Sequence, residues 1–154
     1  MKYLLLLIVI MFSGCNMIQD AYNYSKFEQC SIYYDDYSSI EDYRDVTVWI
    51  RNRVTFKKDD GDVWSTPKEI VERGYGDCDD FSRLFINIVY ARFGIKMNLV
   101  CVDMDEMSRT IVDGGFTNHA IVEYKGVYYE PQNGLEYSVG KVGFIYTFKE
   151  LFKI

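Results

Sequence analysis

The chain has one histidine, His119, and four cysteines, Cys15, Cys30, Cys78 and Cys101. Cys78 stands in the most unusual surroundings. Gly76-Asp77 precede it, and Phe81, Leu84, Phe85, Ile88 and Val89 follow at the spacing of an apolar helical stripe. That pattern predicts a thiol on the first turn of a buried helix. A helix start presents unpaired N–H groups and about half a positive charge. Both favour thiolate, the nucleophilic form of cysteine. Asp77, Asp79 and Asp80 oppose a further anion there, although the same dipole also rewards aspartates in a first turn. A thiolate in that setting needs a cationic partner, and His119 is the sole imidazole available. The chemistry expected of the pair is nucleophilic attack by the sulfur, with the imidazole handling the proton.

A third group would orient the imidazole. Asn118–Tyr124 and Val127–Pro131 read as a hairpin around Lys125-Gly126. With a two-residue turn, Tyr124 pairs with Val127, and counting outward puts Gln132 opposite His119 and Glu130 diagonal to it. One face then carries His119, Ile121, Glu123, Tyr128, Glu130 and Gln132 and is mostly polar. The other, with Ala120, Val122, Tyr124, Val127, Tyr129 and Pro131, packs inward. Glu130 and Gln132 are the candidate third members.

These residues require particular elements. Ser39 is a cap for a helix to about Arg53, with Ile40, Tyr43, Val46, Thr47 and Ile50 on one face. Residues 57–62 read as a solvated turn, without the ligand spacing of an EF-hand. Thr66-Pro67-Lys68-Glu69 predicts a capping box that opens a short helix ending near Gly74. The Cys78 helix is expected to stop at Gly94. Strands follow at 95–102, 118–124, 127–131 and 142–147, then a short helix at 148–153. Residues 104–116 read as a polar loop with Gly114-Gly115 as a hinge. Helices first and strands after predict an α+β fold.

Trp64 to Glu69, Gly76-Asp77-Cys78-Asp79-Asp80-Phe81, His119-Ala120 and Tyr129-Glu130-Pro131 resemble the transglutaminase-like superfamily, most closely its bacterial transglutaminase-like cysteine proteinases. The resemblance spans about residues 64–134. It implies a papain-like arrangement in which the central helix bears the cysteine and packs on an antiparallel sheet bearing the histidine and the acid. It also implies Cys78 as nucleophile, His119 as base and Glu130 as the orienting acid. The family places aspartate where this chain has Glu130, a methylene longer, which keeps Gln132 as the alternative third member. Trp64 is a candidate wall of the cleft, or equally a core aromatic. The chemistry calls for no cofactor. One histidine and scattered cysteines lack the paired spacing of a zinc site, so no metal is expected.

The N-terminus reads as a leader. Lys2 supplies positive charge, and Tyr3 to Phe12 form an apolar run well short of the roughly 20 residues that span a bilayer. Phe12-Ser13-Gly14-Cys15 resembles a bacterial lipobox. Residues 1–14 are accordingly read as a lipoprotein signal peptide, 15–38 as the lipidated Cys15 and its tether, and 39–154 as the folded domain. A protein held to a membrane by lipid on Cys15, with its domain outside the cytoplasm in the cell envelope, follows. Cys30, Cys78 and Cys101 then form an odd set, with a Cys30–Cys101 bridge one open pairing. Net charge −6 argues against nucleic acid, which needs a basic face. Two function classes remain. One is a cysteine peptidase, amidase or transglutaminase acting on peptide or cell-wall amides. The other is a catalytically weak or inactive envelope module that binds another protein.

Overall fold

The computed structural model describes residues 37–58, 65–105, 110–112, 119–137 and 142–152. The leader, Cys15, Cys30, Trp64 and Gly114-Gly115 lie outside the described residues.

The first helix starts later than expected. Asp42, not Ser39, caps this region: its carboxylate accepts from the Arg44 N–H at 2.8 Å and opens a 3-10 turn, Tyr43–Asp45. Helix α1 then runs Val46–Arg51 and buries Val46, Thr47, Trp49 and Ile50. Strand β1 is Thr55–Phe56. Helix α2, Pro67–Arg73, opens on the expected capping box, Thr66 with Glu69, and closes at Gly74 with φ 71°. Strand β2, Tyr75–Gly76, lies parallel to β1, a pairing that the sequence pattern did not suggest. Helix α3, Cys78–Phe93, ends at Gly94 with φ 68°. Left-handed backbone of this kind suits glycine, which carries no Cβ to clash.

The sheet is antiparallel. Strand β3, Asn98–Asp105, is its centre, flanked on one edge by β5, His119–Tyr124. Its other edge is shared by β4, Thr110–Val112, and β8, Phe144–Tyr146. Beyond β5 come β6, Val127–Tyr129, and β7, Glu136–Tyr137. Helix α4, Phe148–Phe152, follows β8. Part of the segment read as a loop at 104–116 is therefore paired: Asp103 faces Val112 and Asp105 faces Thr110. Backbone pairing gave that stretch an order which its polar composition concealed.

Helix α3 packs on this sheet, which confirms the α+β architecture. Phe81, Leu84, Phe85, Ile88 and Val89 share one core with Leu99, Ala120, Val122 and Tyr129, and with Trp49 and Ile50 of α1. The opposite face of the sheet is not the open polar surface expected from the hairpin pattern. Ile121 is fully buried there with Val100 and Val102, and Tyr128 and Val142 pack against them. Cross-strand neighbours on β3, Val100 opposite Ile121 and Val102 opposite His119, add apolar side chains to a face that looked mostly polar in the hairpin alone.

Candidate active site

Local structure and one bond between distant segments place the candidate residues. Cys78 is the first residue of α3, as its sequence context required. Asp77, at the N-cap position, makes no side-chain cap hydrogen bond, while Phe81 N donates to the Asp77 carbonyl at 3.0 Å. His119 is the first residue of β5. Ser82, one turn into α3 and fully buried, donates from Oγ to the Ala120 carbonyl at 3.0 Å. That bond ties the helix to the strand one residue from the imidazole.

The hairpin has the two-residue turn inferred from the sequence. Tyr124 pairs with Val127, Glu123 with Tyr128 and Val122 with Tyr129. Lys125 and Gly126 have φ of 52° and 80°, the paired positive values of a type I′ turn. The ladder ends at Tyr129, so His119 has no ladder partner at Gln132. The chain turns at Glu130 instead: Asn133 and Gly134 both donate to the Glu130 carbonyl, and Glu130 N donates to Leu135 O at 2.8 Å. This turn locks the Glu130 backbone from both sides.

The Glu130 carboxyl is hydrogen-bonded to His119 Nε2 through Oε2. Its other oxygen accepts the Gln132 backbone N–H at 3.1 Å. Gln132 thus supports Glu130 rather than meeting the imidazole itself. Glu130 is 3% exposed, so little water competes for its oxygens. His119 is also hydrogen-bonded to Cys78. With Nε2 committed to Glu130, the nitrogen left for the sulfur is Nδ1.

Electrostatics follow from these contacts. Burial opposes the charged imidazolium, but its hydrogen bonds to Cys78 and Glu130 and the negative charge of both outweigh it, so His119 is pushed up to about 10. The Asp79 carboxyl is pushed up to about 8, first by burial, then by its hydrogen bond to Asp77 and the charges of Asp77 and Asp80. Both groups bind protons more tightly folded than unfolded, which sets the sign of the pH dependence. The His119 contribution is complete below its ordinary value near 6.5 and is lost as pH rises through about 10. Asp79 acts in the same direction but lower, from its ordinary value near 3.8 through about 8. Melting temperature should therefore fall with rising pH, and between about pH 8 and 10 His119→Gln should flatten the fall. Thermal melts of both proteins across that range check this; parallel curves would refute it.

A buried charged network underlies the helix start. Asp80 is fully buried and pairs with Arg73 of α2. Arg73 also donates to Ser65 Oγ at 2.6 Å and to the Tyr75 carbonyl at 2.7 Å. Arg83 donates to the Ser65 carbonyl. Sequence reading treated Asp80 as one of three helix-start acids and did not identify this pair. Gly76 is explained by the same network, since a Cβ there would lie 2.7 Å from Asp80 Cβ and 2.8 Å from its Oδ2. Gly76→Ala should destabilise the fold by about 1–3 kcal/mol, the range for overpacking. Urea unfolding would measure it, and an unchanged midpoint would count against the close packing.

Elsewhere, Cys101 is a half-buried thiol packed against the main core, as its apolar strand context suggested. A shallow depression among Tyr43, Tyr124 and Tyr129 involves none of the candidate residues. Among the described residues no helix is long and apolar enough to cross a membrane.

A family model described as a transglutaminase-like domain matches residues 5–129, and the chain belongs to that family. The matched range includes Cys78 and His119 and stops one residue before Glu130. The third position therefore stands on geometry alone. No curated protein and no solved structure matches the chain.

Proposed function

We propose that this protein is a lipid-anchored component of the bacterial cell envelope that performs acyl transfer on peptide or cell-wall amides at Cys78. The observation that carries the reading is the His119 imidazole held between Cys78 and Glu130. Nucleophile, base and orienting acid in one hydrogen-bonded row is the arrangement that cysteine acyl transfer needs. A third residue unable to reach the imidazole would have favoured the binding module, and the Glu130–His119 hydrogen bond supports the enzyme reading instead.

In this mechanism the Cys78 thiolate attacks the amide carbonyl, forming the C–S bond and moving the π electrons onto oxygen. The Cys78 backbone N–H, at the helix start, stabilises that oxyanion. Collapse breaks the C–N bond, and the His119 imidazolium gives its proton to the departing amine. The thioester is then attacked by water or a second amine, whose proton returns to His119, and the C–S bond breaks to release the acyl product and restore the Cys78 thiolate. Glu130 keeps the ring oriented throughout. Trp64 is the proposed cleft wall. Acylation of Cys15 after removal of residues 1–14 supplies the anchor, and the substrate or partner protein is met outside the cytoplasm.

The test uses the full chain produced in a bacterial host and purified in detergent. Intact-mass analysis after incubation with peptide amides should show an acyl adduct on Cys78 that is absent from Cys78→Ala and His119→Ala. Metabolic labelling with a clickable fatty acid should be lost in Cys15→Ser. Failure to form any adduct, with Cys78 equally reactive toward iodoacetamide in the presence and absence of His119, would favour a non-catalytic binding role. A chain that carries no lipid would remove the anchor.

A further inference from the structure

We propose that Phe56 is a specificity-determining residue, the floor of a subsite beside Cys78 that receives an aromatic or aliphatic side chain of the substrate, one or two residues from the reacting carbonyl. The proposal rests on the acyl-transfer reading above and supplies what that reading leaves open, the class of peptide that the site selects.

Phe56 lies near the nucleophile in space although far from it in the sequence. In the parallel β1–β2 ribbon Phe56 is opposite Gly76, and Gly76 stands two residues before Cys78. Paired strands are about 4.8 Å apart and two residues span at most about 7 Å, so the Cα atoms of Phe56 and Cys78 lie within about 12 Å of each other. The face is settled as well. Residues opposite each other in a ribbon share a face. A Cβ on Gly76 would point at Asp80, in the first turn of α3, 2.7 Å from its Cβ. Phe56 looks the same way, and its ring meets that of Phe81 with centroids 6.4 Å apart and planes at 55°. Phe81 follows Cys78 by three residues, so the two are neighbours on the surface of the helix. Thr55 and Tyr75 take the other face, where the Lys57 ammonium lies over the Tyr75 ring at 4.5 Å.

A single exposed apolar side chain is ordinary on a protein surface. Val48, 57% exposed on α1, is one. Phe56 is 53% exposed, but its place is fixed. Thr55 N donates to the Gly74 carbonyl at 2.9 Å and Lys57 N to the Gly76 carbonyl at 2.8 Å, which holds the strand on either side of it. The buried Phe81 braces part of the ring, and the remainder is open. A ring already held in place loses little freedom when a second apolar group covers it, and the covering removes apolar surface of both from water. Asp80, the charge beneath Gly76, is matched by Arg73, so the attraction offered on this face is apolar rather than ionic.

Three alkylating peptides that carry the same reacting carbon read the subsite: iodoacetyl-Gly-Gly-amide, iodoacetyl-Phe-Gly-amide and iodoacetyl-Gly-Phe-amide. The full chain is treated with each, and the rate at Cys78 is followed by peptide mass spectrometry. Dividing by the rate with N-acetylcysteine removes the intrinsic reactivity of each reagent. At least one phenylalanine probe should then modify wild-type Cys78 about fivefold or more faster than the glycine probe, the scale of one aromatic contact. The preference should vanish in Phe56→Ala. Phe56→Thr, which suits a strand and removes the ring, should give the same loss. Val48→Ala, an equally exposed apolar position on α1, should keep the wild-type preference. No preference in the wild type, a preference that survives loss of the Phe56 ring, or an equal loss in Val48→Ala each overturns the proposal. Inertness of Cys78 to all three probes overturns it too, because a substrate residue on Phe56 requires an open path to the sulfur. His119→Ala tests the acyl-transfer reading separately: it should slow the three probes together and leave their ratios unchanged, so loss of catalysis and loss of the subsite are told apart.

Discussion

Replacing His119 by alanine should lower acyl-transfer turnover by about a thousandfold or more, the scale seen when a member of a nucleophile–base–acid row is removed. The reaction of Cys78 with iodoacetamide at neutral pH should slow by about tenfold, since base assistance and the adjacent positive charge are lost together. Glu130→Gln should fall between this variant and the wild type. It leaves the ring in place but removes the negative charge and changes the hydrogen bond that help raise His119 to about 10. The His119 titration should accordingly move down in Glu130→Gln. Because the natural chain has one histidine, a single imidazole resonance reports that value in protein without a histidine tag. An unmoved resonance would show that Glu130 does not act on the ring. Turnover that survives His119→Ala would refute the mechanism itself.

The largest effect on stability is expected from Asp80→Ala. Asp80 is fully buried and paired with Arg73, whose side chain is 25% exposed. Removing one partner of a buried pair leaves the other partly desolvated and uncompensated, at about 3–5 kcal/mol. For a domain of this size that is on the order of 10 °C in melting temperature. The Cys78 helix would also lose its link to α2 and, through Arg73, to Ser65 and the Tyr75 carbonyl. Asp80→Asn keeps the shape and an acceptor oxygen and should lose less. Thermal and urea unfolding of the two variants provide the check. A loss under about 1 kcal/mol for Asp80→Ala would mean that the pair is no better than a surface ion pair.

Much of the site was legible because its signals are local. A capping box spans four residues, and Thr66 with Glu69 forms one. The glycine stops at 74 and 94 sit where a left-handed backbone ends each helix. The apolar spacing from Phe81 to Val89 identified the buried face of α3, and with it the position of Cys78 on the first turn. Lys125-Gly126 specified a turn of two residues, from which Glu130 emerged on the side of His119.

What escaped the sequence depends on partners distant along the chain. The helix start at Asp42 was decided by which nearby side chain reached the Arg44 N–H, a competition between several plausible caps. The parallel pairing of β1 with β2 joins segments some twenty residues apart, each too short to show periodicity. Ile121 was assigned to a mostly polar face because the hairpin alone was considered, whereas Val100 and Val102 of the neighbouring β3 form an apolar cluster with it. Asp80 resembled its neighbours Asp77 and Asp79 in the sequence, yet burial and Arg73 gave it a structural task. By itself, then, the sequence determined the elements, their ends and the residues able to do chemistry, because backbone sterics and side-chain periodicity act over a few residues. The tertiary structure alone decided that His119 bridges Cys78 and Glu130, since a hydrogen bond forms only where the packing of α3 on β5 and the turn after β6 brings its atoms together.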